Sequence, residues 1–168
     1  MRSTNAIAAA FLAMSCAARA PAGGPTAPPL VGEMARLQFY VGDWACTGHQ
    51  PGDPSADWTA LVHVRPETGG SSVAVQMVGP GDNLSAELKG RDAATGAWFH
   101  VWTTRDGAHG SLTSPGWDGD ALVSIDDADA HHRTIFTRVS DTRYTHRDEV
   151  DAGAGWQVQW EKTCAKRR

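Results

Sequence analysis

From Gly42 onward, apolar residues recur at every second position in short runs, and turn signals separate the runs. A period of two is the signature of β-strands that bury one face. Trp44, Cys46 and Gly48 share a face of the first run, and Trp58, Ala60, Val62 and Val64 share a face of the second. Val73, Val75 and Met77 mark the third, and Leu84, Ala86 and Leu88 the fourth. The fifth spans Trp98 to Thr104, the sixth Ser111 to Ser114 and the seventh Ala121 to Ile125. Arg133 to Val139, Tyr144 to Val150 and Trp156 to Cys164 complete the set. Turns are expected over 66–70, 79–83, 105–107 and 118–119, where Gly, Pro, Asp and Asn cluster. Before Gly42 the spacing changes. Leu30, Met34, Leu37 and Tyr40 fall near helical spacing and predict a short helix.

Ten short strands joined by tight turns predict an all-β antiparallel meander. An open sheet of that size would expose two unpaired edges, and closure removes both. The expected fold is therefore an antiparallel up-and-down barrel of about ten strands with a short N-terminal helix. A two-sheet sandwich is the alternative. About ten strands enclose a wider interior than eight, so a cavity is expected.

The first residues carry the marks of an export signal: Arg2, then an apolar stretch from Ala6 to Met14 that is too short to span a bilayer. Ala20-Pro21-Ala22 fits the small-x-small cleavage pattern. Leu12-Ala13-Met14-Ser15-Cys16 offers a second route, lipidation and membrane tethering through Cys16. The expected organisation is a signal over 1–22 (or one ending before Cys16), a Pro-rich leader over 23–29 and one domain over 30–168. The product is then secreted, periplasmic or lipid-anchored at the cell envelope. The chain has 168 residues, 41% of them apolar, enough for one core. Its formal net charge of -4 gives a nucleic-acid partner no electrostatic support.

Export changes how the cysteines read. With Cys16 removed or lipidated, Cys46 and Cys164 remain, near the two ends of the folded part. In a closed barrel the first and last strands are neighbours, so a disulfide is geometrically natural. Two free thiols are the alternative. Two cysteines alone do not make a zinc site.

The short helix followed by Gly42-Asp43-Trp44 resembles the Gly-x-Trp start of lipocalins and other calycin-like barrels. That resemblance implies that Trp44 closes one barrel end beneath the helix. Gly90-Arg91-Asp92, Trp98 to Trp102, 114–120 and 136–149 look like bacterial lipocalin-like exported proteins, as does the placement of Cys46 and Cys164. The resemblance implies a barrel and a small-molecule ligand. Nitrobindin-type haem barrels share a similar opening, but here Cys46 stands where a Gly belongs, and no His follows His146. The haem-binding His of that family lies near the chain's end, so no cofactor is expected.

Candidate chemistry follows from strand parity. Trp98, His100 and Trp102 share one face; turned inward, they suit a flat apolar ligand with one polar group. Turned outward, they leave Phe99 and Val101 to the core. Tyr144, His146 and Asp148 share a face of the ninth run, where the carboxylate could orient the imidazole. Arg143, Arg147 and Glu149 on the opposite face look solvated. Arg138 follows Phe136 on one face; small intracellular lipid-binding barrels use an interior Arg to hold a carboxylate, and an exposed Arg is the alternative. Asp126, Asp127, Asp129, His131 and His132 read as an acidic hairpin loop without calcium-loop spacing. No nucleophile elbow, phosphate loop, zinc signature or dinucleotide fingerprint is present. The sequence thus points to an exported barrel binding a small apolar or amphipathic molecule through Trp98, His100, Trp102, Arg138, Tyr144 and His146. A cavity enzyme of cyclase or isomerase type, using His100 or His146, and a ligandless envelope barrel are the alternatives.

Overall fold

A computed structural model describes residues 28–80 and 84–168. The expected signal, both expected processing sites, Cys16 and most of the expected leader lie outside the described residues, as does part of the turn expected over 79–83. A nine-residue 3-10 helix, Gly32–Tyr40, precedes eleven strands. They are β1 (Gly42–Gln50), β2 (Asp53–Glu67), β3 (Ser72–Val78), β4 (Leu84–Arg91), β5 (Trp98–Thr104) and β6 (His109–Ser114). Then come β7 (Trp117–Asp118), β8 (Ala121–Asp126), β9 (His132–Ser140), β10 (Arg143–Asp151) and β11 (Trp156–Lys166).

Every neighbouring pair is antiparallel. The order runs β6-β5-β4-β3-β2-β1-β11-β10-β9-β8-β7, and β6 also pairs with β8. That last pairing closes a ring of ten strands, as the period-two pattern predicts. β7 is an addition: two residues in the stretch that the sequence suggests is only a turn. The β6–β8 seam is short, with Leu112 opposite Asp126 and Thr113 opposite Ile125. Asp127 reinforces it, accepting hydrogen bonds from Ser111 Oγ at 2.6 Å and Thr113 Oγ1 at 2.7 Å. One member of the acidic loop is thus a structural staple.

At the opposite side of the ring, β1 pairs with β11 in a register that sets Cys46 against Cys164, and the two form a disulfide. The helix covers this end of the barrel with Met34, Leu37, Phe39 and Tyr40, all buried. Beneath it, Trp44 is fully buried and its Nε1 donates to the carbonyl of Tyr40 at 2.8 Å. Tyr144 meets Trp44 edge to face at 4.8 Å, and Phe136 packs against Tyr40 and Tyr144 at 4.9 and 5.1 Å. Aromatic rings offset in this way fill space densely and exclude water. One end of the barrel is therefore solid.

The strand faces do not all follow the usual rule of apolar residues inside. In β4 the residues that mark the strand, Leu84, Ala86 and Leu88, alternate with Ser85, Glu87 and Lys89, and the second set faces inward. Glu87 pairs in register with Trp102 and Lys89 with His100, so the inner faces of β4 and β5 coincide. Glu149 is a second departure. It is 4% exposed rather than solvated, and Arg133 holds it at 2.6 Å. A register shift between Asp148 and Glu149 puts both acids at least partly inside the protein.

Candidate functional site

Inward positions along β5 lose cover step by step: Trp98 and His100 are buried, while Trp102 and Thr104 are half-buried. The same gradient runs along β11, from fully buried Cys164 through Lys162 to half-buried Trp160. Both gradients lead away from the aromatic end. Between them lies a cavity of about 530 Å³. Met77, Trp102, Leu112 and Trp160 form its apolar walls, and Glu87, His100, His146 and Lys162 its polar ones. The volume falls in the range that holds a small organic molecule, roughly 300–1,000 Å³.

The residues singled out in the sequence divide between the two halves of the barrel. His100, Trp102 and His146 line the cavity. Trp98 faces inward but lies in the closed half, against Trp117 at 6.1 Å. Tyr144 belongs to the aromatic end, with its hydroxyl 3.6 Å from Cys46 Sγ. Arg138 lies outside the lining; it pairs with Asp141 and its guanidinium covers the Phe39 ring at 5.0 Å. Asp148 shares the inner face with His146 as its parity suggests, yet it bonds to His132 across the sheet, Oδ1 to Nε2 at 2.9 Å. His132 Nδ1 in turn approaches Asp126 Oδ2 at 3.3 Å.

Glu87, Lys89, Trp160 and Lys162 were not among the residues singled out, and His132 was read only as part of an acidic loop. Alternation in β4 and β11 carries a signal for them, because Lys162 has the parity of Cys164. Polar residues on an inner face are not what periodicity leads one to expect.

The electrostatics of the inner wall follow from burial. Glu87 and Lys89 form an ion pair at 2.9 Å with both side chains about one-tenth exposed. His100 Nε2 lies 3.1 Å from the same carboxylate oxygen but off the line that a hydrogen bond needs. Burial pushes the Glu87 carboxyl up, but Lys89 and then His100 outweigh it and hold the group well below the usual carboxylate range. Burial and then Lys89 push His100 down. Burial and then Lys162 push His146 down much further. His132 goes the other way: burial opposes its charge, yet its bonds to Asp148 and Asp126 raise it. Burial likewise lifts Asp148, against the pull of His132.

These shifts predict a pH dependence of stability. Unfolded histidines titrate near 6.5. Below that value the unfolded chain binds protons that folded His100 and His146 refuse, so stability falls as the pH falls. The slope steepens toward a limit of about 1.4 kcal/mol per pH unit for each group that stays neutral while its unfolded counterpart is protonated. His132 has the opposite sign: its contribution is complete below 6.5 and is lost only as the pH rises through its raised folded value. Urea midpoints should therefore drop between pH 6.5 and 5.5, and less steeply in His146→Gln. A flat or rising midpoint in the parent protein would contradict the burial of these rings.

Trp58 and Gly48 complete the inner wall. They are register partners, and a Cβ on Gly48 would lie 1.9 Å from the Trp58 ring. Gly48 is what lets that indole lie flat across β1 and reach Trp160 at 6.2 Å.

No family model matches the sequence, and no curated protein matches it. Among solved structures, the crystal structure of Rv2717c from M. tuberculosis shares the fold, with a TM-score of 0.58 at 13% identity. The alignment covers 83% of this chain and 99% of that one. At that identity the likeness speaks for the architecture alone.

Proposed function

We propose that the protein is an exported, lipocalin-like barrel that binds a small apolar or amphipathic molecule in its interior. The observation that carries this is the half-filled barrel. One end is sealed by stacked rings, while the other holds a cavity of about 530 Å³ walled by Met77, Trp102, Leu112 and Trp160. Interiors normally pack to near crystal density. A hollow of this size removes dispersion contacts from the fold, and an apolar guest would restore them. The Cys46–Cys164 bridge is compatible with an oxidising compartment.

The uncharged probe N-phenyl-1-naphthylamine tests this. It should bind saturably, one per chain, and quench tryptophan emission. Trp102→Ala should weaken it about tenfold, the loss of a ring contact worth about 1.4 kcal/mol. Absence of saturable binding would remove the basis for a carrier.

The proximity of His100 to Glu87, 3.1 Å within the cavity wall, favours a second reading as a cavity enzyme moving a proton on a bound substrate. Native mass spectrometry of protein purified from its source separates the two. A co-purified molecule that stays unchanged on incubation supports carriage, and one that is converted supports catalysis.

A further inference from the structure

The geometry points to an anionic head group on the ligand, a carboxylate or sulfonate received by Lys162 beside His146. This rests on the proposed binding role of the cavity. Three observations converge on it.

The first is the state of Lys162. Its side chain lines the cavity and the residue is only 4% exposed. Among the described residues its ammonium meets Met77 Sδ at 3.5 Å and the Trp160 ring face at 5.7 Å. A thioether and a ring face are weak acceptors for a group with three donors. A buried ammonium without an oxygen acceptor is costly, and an anion brought by a ligand would supply one.

The second is the unused hydrogen bonding around it. His146 is the register partner of Lys162, so their side chains stand next to each other on the inner face. His146 Nε2 is buried without a hydrogen-bond partner among the described residues. Ser85 Oγ is buried without one too, and Ser85 is the register partner of Met77. Buried polar atoms are ordinarily satisfied, so two orphans lining the same cavity as Lys162 mark a place for an acceptor. In its Nε2–H tautomer a neutral His146 donates to an oxygen.

The third is the pattern of ion pairing. Deep in the wall stand two ammonium groups, Lys89 and Lys162, and one carboxylate, Glu87. Lys89 takes up that carboxylate at 2.9 Å, and His100 lies against it. At the mouth, Asp126 and Asp148 are engaged by His132. Lys162 is the one of these charged groups without an ion-pair partner among the described residues. Apolar walls with one unpaired buried cation suit an amphipathic organic anion rather than a neutral lipid or a cation.

The test compares 8-anilinonaphthalene-1-sulfonate with N-phenyl-1-naphthylamine, which share their rings and differ by the sulfonate. The parent protein should bind the sulfonate about tenfold more tightly, the scale of a charge-assisted hydrogen bond. Lys162→Met should abolish that preference, bringing the ratio of the two affinities to about one, and Lys162→Arg should keep it. Thermal unfolding of each variant checks folding, and Lys162→Gln replaces Lys162→Met if the latter does not fold. Tight binding of the uncharged probe with no preference for the sulfonate overturns the anion assignment and leaves the cavity's role intact. So does a preference that survives Lys162→Met. Binding of neither probe overturns both.

Discussion

Replacing Cys46 and Cys164 together by alanine lowers the thermal unfolding midpoint by about 10–20 °C, the largest effect expected of any change outside the cavity. The reason lies in the unfolded chain. The bridge spans 118 residues of sequence. In the chain-entropy model, closing a loop of that length removes about 5 kcal/mol of disorder from the denatured ensemble. For a domain of this size, 1 kcal/mol moves the midpoint by roughly 2–4 °C. Differential scanning calorimetry of the oxidised parent and the double variant measures the effect. A shift below about 3 °C would show that the ladder between β1 and β11 holds the ring closed without help.

Trp44→Ala should cost about 3–5 kcal/mol, the range for removing a large aromatic side chain from a core. Trp44 is fully buried, and its indole does three jobs. It donates to the Tyr40 carbonyl at 2.8 Å, meets Tyr144 edge to face at 4.8 Å and takes the Lys166 ammonium over its face at 5.2 Å. Alanine leaves that carbonyl, which sits where the helix meets β1, without its indole donor and opens a void among rings that cannot collapse into it. Trp44→Phe should recover part of the loss by filling space, but not the hydrogen bond. Urea unfolding at constant slope reads both values. A cost under 1 kcal/mol for the alanine variant would mean that the helix does not rely on Trp44 to hold it across the barrel end. Tyr144 touches both Trp44 and Cys46, so the triple variant should not equal the sum of its parts.

The candidate site was legible in the sequence only in part. Parity placed Trp98, His100 and Trp102 on one face, and the structure turns that face inward, because β5 pairs with β4 in a register that sets His100 beside Lys89 and Trp102 beside Glu87. Phe99 and Val101 are apolar as well, so hydrophobicity on its own could not choose between the faces. Phe99 is accommodated outside by lying over Gly90, whose Cβ would come within 2.5 Å of its ring. The polar half of the wall was harder to see. Glu87, Lys89 and Lys162 are residue types that nearly always point to water. They point inward here because each alternates with residues whose own places are set by pairing. Arg138 shows the reverse: interior arginine is a sensible carboxylate anchor in a barrel, yet this one sits at the surface against Asp141 and Phe39.

The chain's own order of residues determined its local structure: the period of two that makes ten strands, the turn residues that space them, the helix before Gly42 and the parity linking Cys164 to Lys162. These depend on neighbours within a few positions, and such neighbours are written in the sequence. Only the tertiary structure decided which face of each strand looks inward, which half of the barrel the rings fill, and that His132 rather than His146 takes Asp148. Those outcomes depend on the registers between strands far apart in the chain, such as β1 and β11, where Trp44 pairs with Lys166. A shift of one residue in any of them would turn every side chain of that strand to the other side.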